Sequence, residues 1–174
     1  MNTLRTLLAT LLLAFSAATQ AAFPARYSPM VVQPTGTPQR YEFDLSAALA
    51  RAQKENKRLY VYLGASDCPF CRKYEAFLDQ NADALVSPFA KDYIVVDLRS
   101  ALAAQSNKLY FRIGNTSLPY AEFLRSFNDE RERKLVYPSV WLFNGQAKPL
   151  MQMPAGTGTF ETVSEQLEIL NLVQ

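Results

Sequence analysis

Apolar positions along the chain fall into blocks of two periodicities. Leu45, Ala48, Leu49 and Ala52 recur at helical spacing behind Asp44, a candidate N-cap. Lys54, Lys57 and Arg58 follow, where the negative end of a helix dipole favours cations. Residues 59–63 are a run of aliphatic, β-branched and aromatic side chains ending at Gly64, which predicts a buried strand. Helical spacing resumes with Tyr74, Phe77, Leu78 and Leu85, opened by Pro69 in a first turn and interrupted at Pro88. Residues 93–98 and 139–143 predict two further strands. Asn144-Gly145 predicts a two-residue hairpin turn, with residues 150–153 as the returning strand. Phe160, Val163, Leu167 and Leu170 share one face of a last helix, with Thr159 as its N-cap. The alternation of helices and strands predicts an α/β fold.

Two stretches carry weaker patterns. Residues 23–40 include Pro24, Pro29, Pro34 and Pro38, which predict an extended lead-in with Met30–Val32 as a short edge strand. Residues 99–136 predict short helices carrying Leu102, Leu109, Tyr110, Phe111, Phe123, Leu124 and Phe127, with breaks near Gly114 and Pro119. The mixed charges of residues 129–134 predict a solvated face.

The first 22 residues read differently. A short polar start with Arg5 precedes an apolar run over residues 7–18, then Thr19-Gln20-Ala21-Ala22. This three-part pattern predicts a secretory signal cleaved after Ala21 or Ala22. The apolar run is shorter than the ~20 residues a spanning helix needs. The expected organisation is a signal peptide over 1–22, a proline-rich lead-in over 23–40 and one domain over 41–174. A chain of 174 residues suits about one domain at ~150 residues each.

Composition removes whole classes of chemistry. The formal charge is +2, one less once Arg5 leaves, with no basic excess to suit nucleic acid. The chain has no histidine, which excludes Ser-His-Asp and Cys-His triads and His-ligated metals. Two cysteines cannot build a four-cysteine zinc or iron–sulfur site within one chain. Export would place both where thiols can be oxidised.

Those two are Cys68-Pro69-Phe70-Cys71, between a predicted strand and a predicted helix. Free N–H groups and the positive dipole end at a helix start stabilise a thiolate at Cys68. Cys71 lies one turn further in, where it can attack a mixed disulfide formed by Cys68. Arg72 and Lys73 add positive potential, and Asp67 opposes it. An inert structural disulfide and a soft-metal site for Cu(I) are alternative uses of the same pair.

The stretch over residues 48–99, centred on Lys57 to Cys71, resembles the thioredoxin superfamily, and exported thioredoxin-like proteins most closely. Residues 137–145, with Tyr137-Pro138 opening a strand and Asn144-Gly145 closing it, resemble that family's second signature. The likeness covers roughly residues 42–172. It implies a three-layer α/β/α sandwich with a mixed central sheet and a helical insertion, here 99–136, before a cis-proline strand. It implies Cys68 as nucleophile, Cys71 as resolving thiol, and a cis Pro138 beside them. The Tyr137 backbone would pair with an extended peptide, and exposed aromatics at Phe70 and Tyr137 would dock a protein client. The implied activity is that of a periplasmic or secreted thiol–disulfide oxidoreductase, more reductase than oxidase. Its partners would be client proteins with disulfides or thiols and a membrane thiol–disulfide electron donor; no cofactor, metal or nucleic acid is implied. A redox-inert scaffold and a metal-handling assembly factor are the competing readings.

One departure stands out. Thioredoxins proper carry a buried acid six positions before the first cysteine, and this chain has Tyr62 there. With an ordinary pKa of ~10, tyrosine is a poor base near neutrality. Cys71 must then lose its proton to water or another group, and Glu75 reads as solvated. Tyr60, Tyr62, Tyr93, Trp141 and Phe143 are expected in the core.

Overall fold

The computed structural model describes residues 22–128, 134–153 and 161–172. The expected signal peptide (Ala22 apart), residues 129–133 of the charge run, Thr159 and Phe160 lie outside the described residues.

Strand β4 (Arg58–Ala65) is the centre of a five-stranded sheet. Its order is β1 (Met30–Val32), β5 (Tyr93–Ser100), β4, β8 (Ser139–Phe143) and β9 (Pro149–Met153). Strands β1 and β4 run parallel to β5, whereas β8 is antiparallel to β4 and β9 to β8. Every β4 residue from Leu59 onward is buried, so alternate side chains feed opposite layers. Leu59, Val61 and Leu63 join Trp141 and Phe143 in one core. Tyr60 and Tyr62 join Val140 and Leu142 in the other.

The first core is closed by α1 (Ser46–Glu55), by α4 (Tyr120–Arg125) and by a second sheet. That sheet runs β2 (Thr35–Thr37), β3 (Arg40–Asp44), β6 (Leu109–Ile113), β7 (Thr116–Pro119). Phe111 stacks on Phe123 at 4.1 Å and meets Trp141 edge-on at 5.7 Å, joining the two sheets through aromatic contact. The second core is closed by α2 (Pro69–Gln80), α3 (Ala82–Asp92) and α5 (Val163–Leu172). Buried tyrosine hydroxyls tie these elements together. Tyr74 donates to Gln166 Oε1, Tyr93 to the Leu170 carbonyl and Tyr27 to the Leu78 carbonyl, each at 2.8 Å. The architecture is the expected α/β sandwich with a mixed central sheet. Met30–Val32 is an edge strand, and Tyr60, Tyr62, Tyr93, Trp141 and Phe143 are buried, as the sequence predicts.

Several local expectations are corrected. Among the described residues of 99–136 there is one α-helix, α4, and also a hairpin of β6 and β7 turning at Gly114, whose φ is 58°. Leu109 and Phe111 are buried and Tyr110 is half-buried, a period of two that belongs to a strand and not to a helix. The long helical face of residues 69–92 breaks at Asn81, not at Pro88, which lies inside α3. The carbonyl that Pro88 leaves without a helical donor belongs to Ala84, which is exposed and open to water. The β8–β9 connection is the five residues 144–148, in place of a two-residue turn. Asn144 Oδ1 accepts from the Gln146 and Lys148 amides at 3.0 and 2.9 Å, and Ala147 takes the positive φ of 65°. Thr162 caps α5: its hydroxyl accepts from the Glu165 amide at 3.2 Å, and Glu165 accepts from the Thr162 amide at 3.0 Å. Asp44 caps α1 from one place outside, accepting from the Ser46 amide at 2.8 Å.

Phe111→Ala is expected to lower unfolding free energy by about 3–5 kcal/mol, because it empties the junction between the sheets. Urea denaturation measures this, and a loss below ~1 kcal/mol would contradict the packing described.

Candidate dithiol site

Strand β4 ends at Ala65, and the chain turns through Ser66 and Asp67 into α2. Cys68 is the N-cap, in extended conformation at φ −89°, ψ 117°, with Pro69 in the first turn. The Cys68 amide donates to the Ala65 carbonyl at 3.1 Å, fixing the turn. Asp67 is drawn aside, accepting from the Leu102 amide at 2.9 Å. Lys73 pairs with Glu161 at 3.2 Å.

The two sulfurs have unlike surroundings. Cys68 Sγ accepts from the Cys71 amide at 3.2 Å, at the positive end of the helix. Cys71 Sγ accepts from the Ala65 amide at 3.5 Å, and both cysteines are buried, Cys68 at 1% and Cys71 at 0% exposure. Burial, and secondarily the neighbouring Cys68 sulfur, push the Cys71 thiol up to about 12. Both cysteines are free thiols. Tyr137 packs on the cluster of Ala65, Cys68 and Cys71. The Tyr137–Pro138 peptide is cis, as the resemblance implies. Burial pushes the Tyr137 phenol up to about 12, and its hydroxyl shares a 2.7 Å hydrogen bond with Ser100 Oγ. Phe70, between the cysteines in the chain, is 60% exposed. The structure thus brings Tyr137 against both thiols and leaves Phe70 on the rim.

Glu75 is not solvated, contrary to the sequence reading: it is only 6% exposed. The Tyr62 hydroxyl donates to Glu75 Oε1 at 2.8 Å, and Tyr62 and Cys71 are near enough to influence each other's titration. Tyr62 thus neighbours both Cys71 and a buried carboxyl group. Gly64 makes room for it, since a Cβ there would lie 2.6 Å from the Tyr62 ring. Glu75 Oε2 accepts from the Ala22 amide at 2.7 Å. Asp97, wholly buried and opposite Tyr62 in the sheet, accepts from the Phe23 amide at 3.0 Å and from Arg99 at 2.5 Å. Burial raises Glu75 above the ordinary carboxylate range and Asp97 to about 6.

The signal for Glu75 was present in the sequence. Cys71, Glu75 and Leu78 fall on one helical face, and a buried Cys71 carries Glu75 inward with it. Asp97 was equally visible as a lone acid inside an apolar strand. Among the described residues, no cluster of three or more His, Cys, Asp or Glu could hold a metal ion.

A dithiol at a strand-to-helix junction, facing a residue that leads by a cis bond into an antiparallel strand, is the arrangement of thioredoxin-fold proteins. Comparison with protein families agrees: the thioredoxin-like family matches residues 39–144, and the chain belongs to it. Similar solved structures include a thioredoxin-fold protein from Helicobacter pylori, at 12% identity, TM-score 0.42, covering 68% of this chain and 69% of that one. An exposed lipoprotein thioredoxin from Streptococcus pneumoniae has 15% identity and TM-score 0.39, with 70% of this chain and 89% of that one covered. A Schistosoma mansoni thioredoxin pre-protein has 11% identity and TM-score 0.39, with 83% and 99% covered. No curated protein matches.

In a Cys68→Ser variant, desolvation remains and Cys71 is expected to titrate above the ordinary thiol range. Its alkylation by iodoacetamide in the native state at pH 9 should then be at least about tenfold slower than that of a free cysteine, whose pKa is ~8.5. Mass spectrometry of timed samples measures it; alkylation at the free-cysteine rate would contradict the burial described.

Proposed function

We propose that the protein is an exported thiol–disulfide oxidoreductase that reduces disulfides of client proteins. The carrying observation is a contrast in position between two buried sulfurs: Cys68 is the N-cap of α2 and accepts an amide hydrogen there, whereas Cys71 lies a turn further in, where desolvation holds it as a thiol. That contrast assigns the roles. The Cys68 thiolate attacks a client disulfide, forms a mixed disulfide and releases one client thiolate. Cys71 then loses its proton and attacks Cys68 Sγ, breaking the mixed disulfide and releasing the second client thiolate. Two electrons pass to the client, and the Cys68–Cys71 disulfide remains. A membrane dithiol donor resets it.

The proton of Cys71 leaves through Tyr62. Cys71 gives it to the phenolic oxygen as Tyr62 passes its own to Glu75, so tyrosine relays and Glu75 accepts. The acid that thioredoxins proper hold on the strand is supplied here from helix α2. Phe70 and Tyr137 present apolar surface to the client, and the backbone of Tyr137 and Pro138 pairs with an extended client segment. The leader within residues 1–22 directs export and is cut off after Ala21 or Ala22, leaving a periplasmic or secreted protein. Residues 41–174 are then its thioredoxin-like domain, with 99–136 inserted.

The first test is the reduction potential of the pair, by equilibration against a dithiol buffer series. A value near ~−270 mV supports a reductase, and one near ~−120 mV an oxidant. A bond still closed at far lower potential would mean an inert scaffold.

Cys68→Ser should abolish turnover of a protein disulfide, whereas Cys71→Ser should accumulate the mixed disulfide, visible on non-reducing gels. Phe70→Ala should lower kcat/KM for a protein disulfide about tenfold, the effect of a lost apolar anchor, and leave a small-molecule disulfide unaffected. Equal losses on both substrates would remove Phe70 from docking.

A further inference from the structure

The buried cluster below the dithiol lacks one positive charge. Glu75 and Asp97 are both buried, and the cation bearing on both is Arg99, bonded to Asp97. The other groups facing Glu75 are the Tyr62 hydroxyl and the Ala22 amide. Asp97 Oδ1 is buried with no hydrogen-bond partner among the described residues. Two like charges in a poorly solvated site are costly without matching cations.

The lead-in chain meets this cluster at its first two described residues. Ala22 N lies 2.7 Å from Glu75 Oε2, and Phe23 N lies 3.0 Å from Asp97 Oδ2. The Phe23 side chain locks the position, 3% exposed and edge-on to Tyr62 at 5.3 Å. Ala22 is exposed and lines a groove of about 610 Å³ together with Arg99 and Ser100. A charge on Ala22 N would keep water on one side and meet carboxylates on the other.

We propose that cleavage between Ala21 and Ala22 makes the α-ammonium of Ala22 an internal counter-ion, paired with Glu75 and Asp97 and holding Glu75 ready as proton acceptor. The inference rests on the export reading of residues 1–22. A leader peptidase adds water across the Ala21–Ala22 amide; the carboxylate leaves with the leader, and the amine stays and takes a proton. Ala21 and Thr19 are the small residues such an enzyme needs one and three places before the cut. The single N–H of the peptide becomes three donors and a full charge. One still reaches Glu75; the others are one residue from the orphan oxygen of Asp97. The cluster then holds two carboxylates and two cations. The ammonium is a positioning group, acting on Cys71 through Glu75 and Tyr62.

The test begins with the full-length chain expressed in a bacterial host. Sequencing of the exported protein should give Ala22 as its first residue. A start at Phe23 overturns the proposal but leaves export standing, and a full-length product retained in the cytoplasm sinks the export reading. The pairing is measured separately, by NMR titration of the Ala22 amine in protein freed at Ala22 by a site-specific protease. It should titrate at least one unit above the ordinary terminal value of ~7.7–8.0, and Glu75→Gln should lower it by half a unit or more. An ordinary value in the parent protein overturns the pairing. A chain retaining Ala21 moves the charge out by one residue, ~3.8 Å. The full charge no longer offsets the burial of Glu75, so Glu75 keeps its proton to higher pH than in the chain that starts at Ala22. The acid limb of mixed-disulfide resolution should move up by about one unit, and an unmoved limb overturns the positioning role.

Discussion

Burial of β4 on both faces is the constraint from which the rest of the molecule follows. A strand with no solvated side must give every side chain a place in one of two cores, so its register cannot slip by one residue. Its end is therefore fixed at Ala65, and with it the turn that sets Cys68 at the start of α2. The same alternation directs Tyr62 to the face covered by α2, two residues before the glycine that its ring overlies. The reactive pair is thus positioned by packing that lies almost wholly behind it.

The chemistry uses two physical contrasts within one helical turn. A helix start offers hydrogens and positive potential to the first sulfur. Desolvation keeps the proton on the second. Removal of that proton needs an acceptor inside the protein, and the acceptor must stay uncharged or paired to be tolerated there. Tyr62 meets half of this need: a phenol can be buried at little cost and still conduct a proton between neighbours. Glu75 meets the other half, held among Tyr62, Arg99 and the start of the lead-in. In the proposed mechanism, the departure from the ordinary thioredoxin pattern moves the acid from strand to helix.

The fold was legible wherever one periodicity ran long enough to dominate. Strands β4, β5 and β8 and helices α1 and α2 are where the apolar spacing puts them. The second sheet was not, because β2, β3 and β7 are short: β2 is exposed throughout, β3 buries only Phe43, and β7 buries no residue fully, leaving no alternation to read. Turn details were lost to side chains that replace glycine: Asn144 closes its loop with its own amide oxygen. In the site, the cysteines were visible as a motif and Tyr137–Pro138 through resemblance. Glu75 was misread because a charged residue suggests water. Only the helical phase set by Cys71 says otherwise.

The single tryptophan lies away from the redox pair. Trp141 points into the core shared with the second sheet, edge-on to Phe123 at 5.0 Å. Its indole N–H has no hydrogen-bond partner among the described residues. Neither sulfur belongs to the cluster that encloses it. Tryptophan fluorescence of this protein therefore reports the integrity of its aromatic junction. The aromatic ring placed to sense the dithiol is that of Tyr137, which packs on both cysteines.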